Sequence, residues 1–140
     1  MYIGAMINRS IQPSKLSWVT VNLYIYLAIS ILMVFLSLAG GAFFGALVNS
    51  AAETTDDNIV GTILAFVFGI GGVIFFGIAA VLHGIAARGM AQGKRWGWIL
   101  SMVLMVLNVI SYIGTLLLAI PAVLGLVGLL DRDVQDYAKN

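Results

Sequence analysis

Charged residues fall in narrow bands along this chain, and the stretches between the bands are apolar throughout. A mixed opening segment, residues 1–17, carries Arg9, Pro13 and Lys15, and from Trp18 to Val48 there is then no charge. Glu53, Asp56 and Asp57 gather in the polar stretch Asn49 to Asn58, and a second charge-free run extends from Ile59 to Ala87. Arg88, Lys94 and Arg95 follow, and a third uncharged run continues from Trp98 to Leu130, ahead of the polar residues 131–140. None of these runs repeats polar residues at a helical period, which excludes ordinary amphipathic surface helices. Their length predicts helices that cross a bilayer, because ~20 apolar residues span the ~30 Å hydrocarbon layer.

The first two runs predict helices over 18–48 and 59–87. The first is longer than the hydrocarbon layer requires, so it must tilt or protrude. Asp57 or Asn58 is the expected N-cap of the second, since such side chains satisfy free backbone N–H groups. The third run poses a choice. As one helix it would measure about 50 Å and hold Gly114 and Pro121 inside, and the proline would remove a backbone hydrogen bond. As two helices, 98–112 and 115–130, turning at Ile113 and Gly114, each comes close to the ~17-residue minimum for crossing.

Charge asymmetry favours the hairpin. Lys and Arg are retained in the cytoplasm, and an even number of crossings puts all 7 of them on one side. The outer segments then hold Glu53, Asp56 and Asp57 and no cation, and Trp18, Trp96 and Trp98 all mark the inner boundary. The predicted fold is therefore all-α: an integral membrane four-helix bundle made of two helical hairpins. It comprises one transmembrane domain, 18–130, with a cytoplasmic N-terminal segment, 1–17, and a cytoplasmic C-terminal tail, 131–140. The first run exceeds the ~7–15 residues of a cleavable signal core and is expected to stay attached.

In lipid, helices associate through close approach of small residues and shape fit. Ser37, Gly41 and Gly45 recur every four residues on the first helix, and Gly61, Ala65 and Gly69 do so on the second. These six are the expected helix-packing residues, and the 7 phenylalanines, all in the same two helices, are expected to fill against the glycine grooves. The shorter second pair predicts a lopsided bundle, with the first pair reaching beyond the outer surface.

Composition narrows the function classes. Hydrophobic residues make up 61% and charged residues 9%, so a soluble globule of 140 residues could not hide its apolar side chains. A net charge of +1 lacks the basic density of a nucleic-acid-binding surface. The chain has no cysteine, hence no disulfide and no thiolate chemistry. No Asp, Glu, Lys or Arg lies within any predicted span, which argues against catalysis. No cofactor or metal site is expected, because the Glu53, Asp56 and Asp57 group lacks calcium-loop spacing and suits a solvated helix start.

Two polar residues inside the spans remain. His83 has the chemistry of a proton relay. One turn before Arg88, it is more simply expected to meet water or a headgroup at the inner interface. Asn108 in hydrocarbon needs a partner on a neighbouring helix or protomer, and an internal packing contact with Ser101 or Ser111 sharing its polar face is expected over a substrate contact. Pro121 is expected to kink the fourth helix. In the tail, Arg132 and Asp136 are spaced to pair on a short polar helix that either docks a cytoplasmic partner or frays.

From Gly93 onward, Gly-Lys-Arg-Trp, an apolar run, Ile113-Gly114-Thr115, a second apolar run and Val134-Gln135-Asp136-Tyr137 resemble a recurrent arrangement in small uncharacterised bacterial four-helix membrane proteins. The resemblance covers the last third of the chain, and Tyr112 stands where that pattern usually has proline. It implies a bacterial inner-membrane setting and no function. The expected role is that of a non-catalytic membrane interaction protein. Such a small subunit or adaptor packs against a larger membrane protein, or against copies of itself, within the lipid bilayer. A homo-oligomeric pore or small transporter is the alternative, with Asn108, Ser101 and Ser111 lining a polar route.

Overall fold

A computed structural model describes residues 12–51 and 53–139, and Arg9 lies outside them. Among the described residues all regular structure is helical. Helix α1 is Leu16–Ala51, α2 is Thr55–Ala91, α3 is Arg95–Tyr112, α4 is Leu116–Leu129 and α5 is Arg132–Tyr137. The first three are long and apolar enough to cross a membrane, whereas α4 is apolar but only 14 residues long. At 1.5 Å per residue α1 and α2 each measure about 55 Å, α3 about 27 Å and α4 about 21 Å.

Local chemistry sets the helix ends. The N-cap of α2 is Thr54, three residues before Asp57 and four before Asn58, the two caps expected from sequence. Its hydroxyl accepts from the Asp57 N–H at 3.2 Å and donates to the Asp57 carboxylate at 2.7 Å. Ncap threonine with an acid three residues on makes a reciprocal capping arrangement, which draws Asp56 and Asp57 into the first turn, where they complement the helix dipole. Between α2 and α3 the chain turns through Gly93 at φ 65°, a left-handed conformation that favours glycine. There the Gly93 N–H donates to Met90 and the Lys94 N–H to Gly89, both at 3.0 Å, the paired bonds of a Schellman stop. Helix α3 ends at Tyr112, and the Thr115 N–H reaches back to the Tyr112 carbonyl at 2.9 Å across the break at Ile113 and Gly114.

The chain forms two compact units, one from Met1–Tyr26 with Leu82–Asn140 and one from Leu27–Val81. In the second unit, α1 and α2 meet through small residues. A Cβ added to Gly41 would lie 2.6 Å from the Gly69 Cα and 3.1 Å from the Ala65 carbonyl oxygen, so the two backbones touch here. Gly45 faces Ala65, Gly61 faces Val48 and Gly72 faces Ser37 along the same seam. Within α2 the segment Val67–Gly71 is a π-helical turn, and Gly69 sits inside it. The phenylalanines do not fill the glycine grooves as expected: Phe35, Phe43, Phe66, Phe68 and Phe75 are each more than 60% exposed. Where backbones meet at glycine there is no room for a ring, so the rings point outward.

The first unit packs larger side chains. Leu16, Val19, Leu23 and Tyr26 are buried at steps of three and four along α1, the spacing that brings one helical stripe onto its neighbours. Glycines receive them and their neighbours: Val19 lies against Gly128, Met105 against Gly125, and Gly89 of α2 meets Gly97 of α3 backbone to backbone. Helix α5 buries Val134, its C-cap Ala138 is buried too, and its N-cap Asp131 accepts from the Asp133 N–H at 3.1 Å. The tail thus packs on its own chain, and not through the expected Arg132–Asp136 pair. Among the described residues the ion pairs are Lys15 with Asp131 and Lys139 with Asp136. Asp136 is met from the C-terminal side because Lys139, three residues on, lies over the same turn.

Three long-range bonds gather helix ends in this unit. The Trp98 indole donates to the Leu129 carbonyl at 3.0 Å, joining the start of α3 to the end of α4. Lys15 meets Asp131 at 2.7 Å, joining the start of α1 to the end of α4. The Tyr137 hydroxyl donates to the Ala91 carbonyl at 3.0 Å, joining α5 to the end of α2. Four helix ends therefore share one end of the unit.

Candidate functional site

Polar side chains buried within the first unit converge on Tyr26. Its position on the apolar stripe of α1 leaves it 1% exposed, a burial that a phenol tolerates only with its hydroxyl paired. The pairing is provided by α4. The Tyr26 hydroxyl donates to the Leu118 carbonyl at 2.5 Å and accepts from the Ala122 N–H at 3.0 Å. These are the two groups that bond to each other in a regular α-helix, so the hydroxyl bridges one rung of the ladder. It does so beside Pro121, whose missing N–H deprives the Leu117 carbonyl of its usual partner. Insertion of a side chain at a proline is an established cause of a helix kink.

The Tyr26 ring lies 5.8 Å from the His83 ring, tilted by 32°, and 5.8 Å from the Tyr112 ring, nearly parallel at 20°. His83 is 3% exposed and does not reach the water or headgroups expected for it. The reason is its helix face: it shares the buried stripe of α2 with Ala86, Ala87 and Met90, while Arg88 is exposed. Its Nε2 lies 2.9 Å from the Asn108 side-chain nitrogen. With Nε2 unprotonated, Asn108 donates and the ring accepts.

Asn108 therefore has its partner on a neighbouring helix, α2, and that partner is His83 and not a serine. Ser101 donates to the Gly97 carbonyl at 2.7 Å, one turn back, and Ser111 is exposed. Sequence reasoning singles out His83 and Asn108 without joining them, and it misses Tyr26 and Tyr112. A usable signal is present: Tyr26 lies well inside an uncharged run, deeper than the interfacial belt where tyrosine is at home, and so requires a partner.

Chemically the cluster is a phenol, an imidazole, an amide and a second phenol. It has no carboxylate, and among the described residues no buried side-chain nitrogen or oxygen is left without a partner. Nor, among the described residues, do three His, Cys, Asp or Glu gather where they would hold a metal. The packing residues Ser37, Gly41, Gly45, Gly61, Ala65 and Gly69 lie in the other unit, on the seam between α1 and α2. No family model, curated protein or solved structure matches this chain.

Proposed function

We propose that this chain is a non-catalytic integral membrane protein that works by contact with another membrane protein or with copies of itself. Its four apolar helices form two hairpins in a bacterial inner membrane, with both ends in the cytoplasm. The observation that carries the reading is the outward face of Leu27–Val81. Ile31, Leu32, Phe35, Phe43, Phe68 and Phe75 are among its exposed residues, and Gly40, Gly71 and Gly77 have open space where a side chain would be. Large apolar groups on the outside belong in hydrocarbon, and open glycines allow a second helix to approach closely.

The buried polar cluster supports a structural role over a reacting one, because His83 pairs with Asn108 and Tyr26 pairs with the α4 backbone. A pore has less support, since Ser101 and Asn108, the side chains suited to line one, are engaged internally. Helix α4, at about 21 Å, is shorter than the ~30 Å hydrocarbon layer, and local thinning of the bilayer accommodates such mismatch.

Two measurements test the reading. After alkaline extraction the chain stays with the membrane fraction, and reporters fused to its two termini fall on the cytoplasmic side; termini in different compartments refute the hairpins. Purified in mild detergent, the chain brings down a stoichiometric membrane partner or runs as a defined oligomer. A strict monomer that is always alone refutes the interaction role.

A further inference from the structure

The gathered helix ends carry cations of the first unit. Arg88 stands in the last turn of α2, Lys94 and Arg95 at the start of α3, and Arg132 at the start of α5. All four are exposed, and among the described residues none of them is in an ion pair. The Trp98, Lys15 and Tyr137 bonds hold these helix ends together. The turn that carries Lys94 is itself fixed, closed by the Gly93 and Lys94 N–H bonds and backed by Tyr137, which lies 3.0 Å from a Cβ position at Gly93. Trp18 and Trp96, 46% and 45% exposed, flank the same helix ends.

We infer that this end is a binding surface for anionic phospholipid headgroups. Unpaired cations beside exposed indoles match the layered chemistry of the membrane boundary, where phosphates lie just outside a zone that favours amphipathic aromatic rings. A fixed turn presents its charges without first ordering them, so less entropy is lost on binding. The paired cations Lys15 and Lys139 already have carboxylates and contribute less. The inference rests on the membrane reading of the chain.

All 3 tryptophans occur at this end, so intrinsic fluorescence reports on lipid in contact with it. The full chain is reconstituted in phosphatidylcholine vesicles containing brominated phosphatidylglycerol or, in parallel, brominated phosphatidylcholine, which quench indoles they touch. The expected result is about fivefold preferential quenching by the phosphatidylglycerol at low salt, falling toward parity at high salt. The combined variant Arg88→Gln, Lys94→Gln, Arg95→Gln, Arg132→Gln, checked for unchanged helix content, shows no preference. Equal quenching by the two lipids in the native chain, or an undiminished preference in the variant, overturns the inference and leaves the membrane reading intact. Loss of the preference with inorganic phosphate, but not with chloride at equal ionic strength, overturns the lipid assignment in favour of free phosphate. Absence of quenching by either lipid overturns the membrane reading and this inference with it.

Discussion

Replacing Tyr26 with phenylalanine keeps the ring between His83 and Tyr112 and removes only the hydroxyl that bridges Leu118 and Ala122. Hydrogen bonds inside membrane proteins average about 0.6 kcal/mol, with a maximum near 1.7, so two of them set a ceiling of about 3 kcal/mol. The Ala122 N–H and Leu118 carbonyl can pair with each other once the hydroxyl is gone, which recovers part of that. The expected loss is about 1 kcal/mol. Tyr26→Ala, which also empties a fully buried site, is expected to cost ~3–5 kcal/mol. Unfolding by rising dodecyl sulfate in mixed micelles, followed through the tryptophans, measures both. The sharper test is Pro121→Ala. With the proline gone α4 closes its own ladder and the hydroxyl loses its partners, so Tyr26→Phe becomes neutral or stabilising in that background. A loss of the same size with and without the Pro121→Ala change, or no loss in either case, refutes the bridging role.

The seam predicts opposite outcomes at adjacent glycines. Gly41→Ala drives a Cβ into the Gly69 backbone and is expected to cost about 2 kcal/mol, whereas Gly40→Ala meets nothing within 4 Å and gains about 0.5–1 kcal/mol of helix propensity in the same unfolding assay. A double-mutant cycle on His83→Ala and Asn108→Ala should show coupling of about 1 kcal/mol, and strict additivity would mean that the 2.9 Å contact contributes nothing. The Lys15–Asp131 pair has a pH signature. The hydrogen bond from Lys15 holds the Asp131 carboxyl below its usual value, and the same bond raises Lys15. The stabilisation from Asp131 is present above the unfolded carboxyl value of about 3.9 and is lost as pH falls through the lower folded value; that from Lys15 is present below about 10.4 and is lost as pH rises through the higher folded value. The difference in melting temperature between the native chain and Lys15→Met should therefore be constant in the neutral range and shrink at both extremes, and a difference unchanged at about pH 3 contradicts the pairing.

The legible part of this fold is the part written in composition. Charge bands delimit α1, α2 and the outer ends of the α3–α4 run to within a few residues, because a charge in a long apolar run costs too much to be placed anywhere but at an end, while the break inside that run is marked by Gly114. Small residues at steps of four mark Gly41 and Gly69, because close approach of two backbones leaves glycine little competition. What escapes is set by contacts distant in sequence. Nothing near Tyr26 announces that its partners are 92 and 96 residues away. Nothing near Asp131 announces Lys15, because an exposed charge beside a span reads the same with or without a partner. Proximity to Arg88 misplaces His83, whose side is decided by the helical period. The π turn at Val67–Gly71 has no compositional mark beyond two glycines.

Helix α1 is packed by two different rules along its length, and this division bears on where contact with a partner is made. Up to Tyr26 its stripe is Leu16, Val19, Leu23 and Tyr26, bulky side chains set into Gly128 and its neighbours or tied to the α4 backbone. Those contacts use up the face they cover, since a large side chain in a fitted notch leaves no room for another helix. Beyond Tyr26 the stripe becomes Ser37, Gly41 and Gly45, and contact is by backbone against backbone at Gly69. A seam so narrow covers little of either helix. It leaves Phe35, Phe43, Phe68 and Phe75 outward, with Gly40 and Gly71 open among them. Lipid chains solvate such a face without help, so exposure alone drives no association. Open glycine does, because a partner helix gains close packing there that a disordered lipid tail does not supply. Under the proposed interaction role, recognition of another helix therefore falls to Leu27–Val81, while the helix ends of the other unit are held together by its own Trp98, Lys15 and Tyr137 bonds.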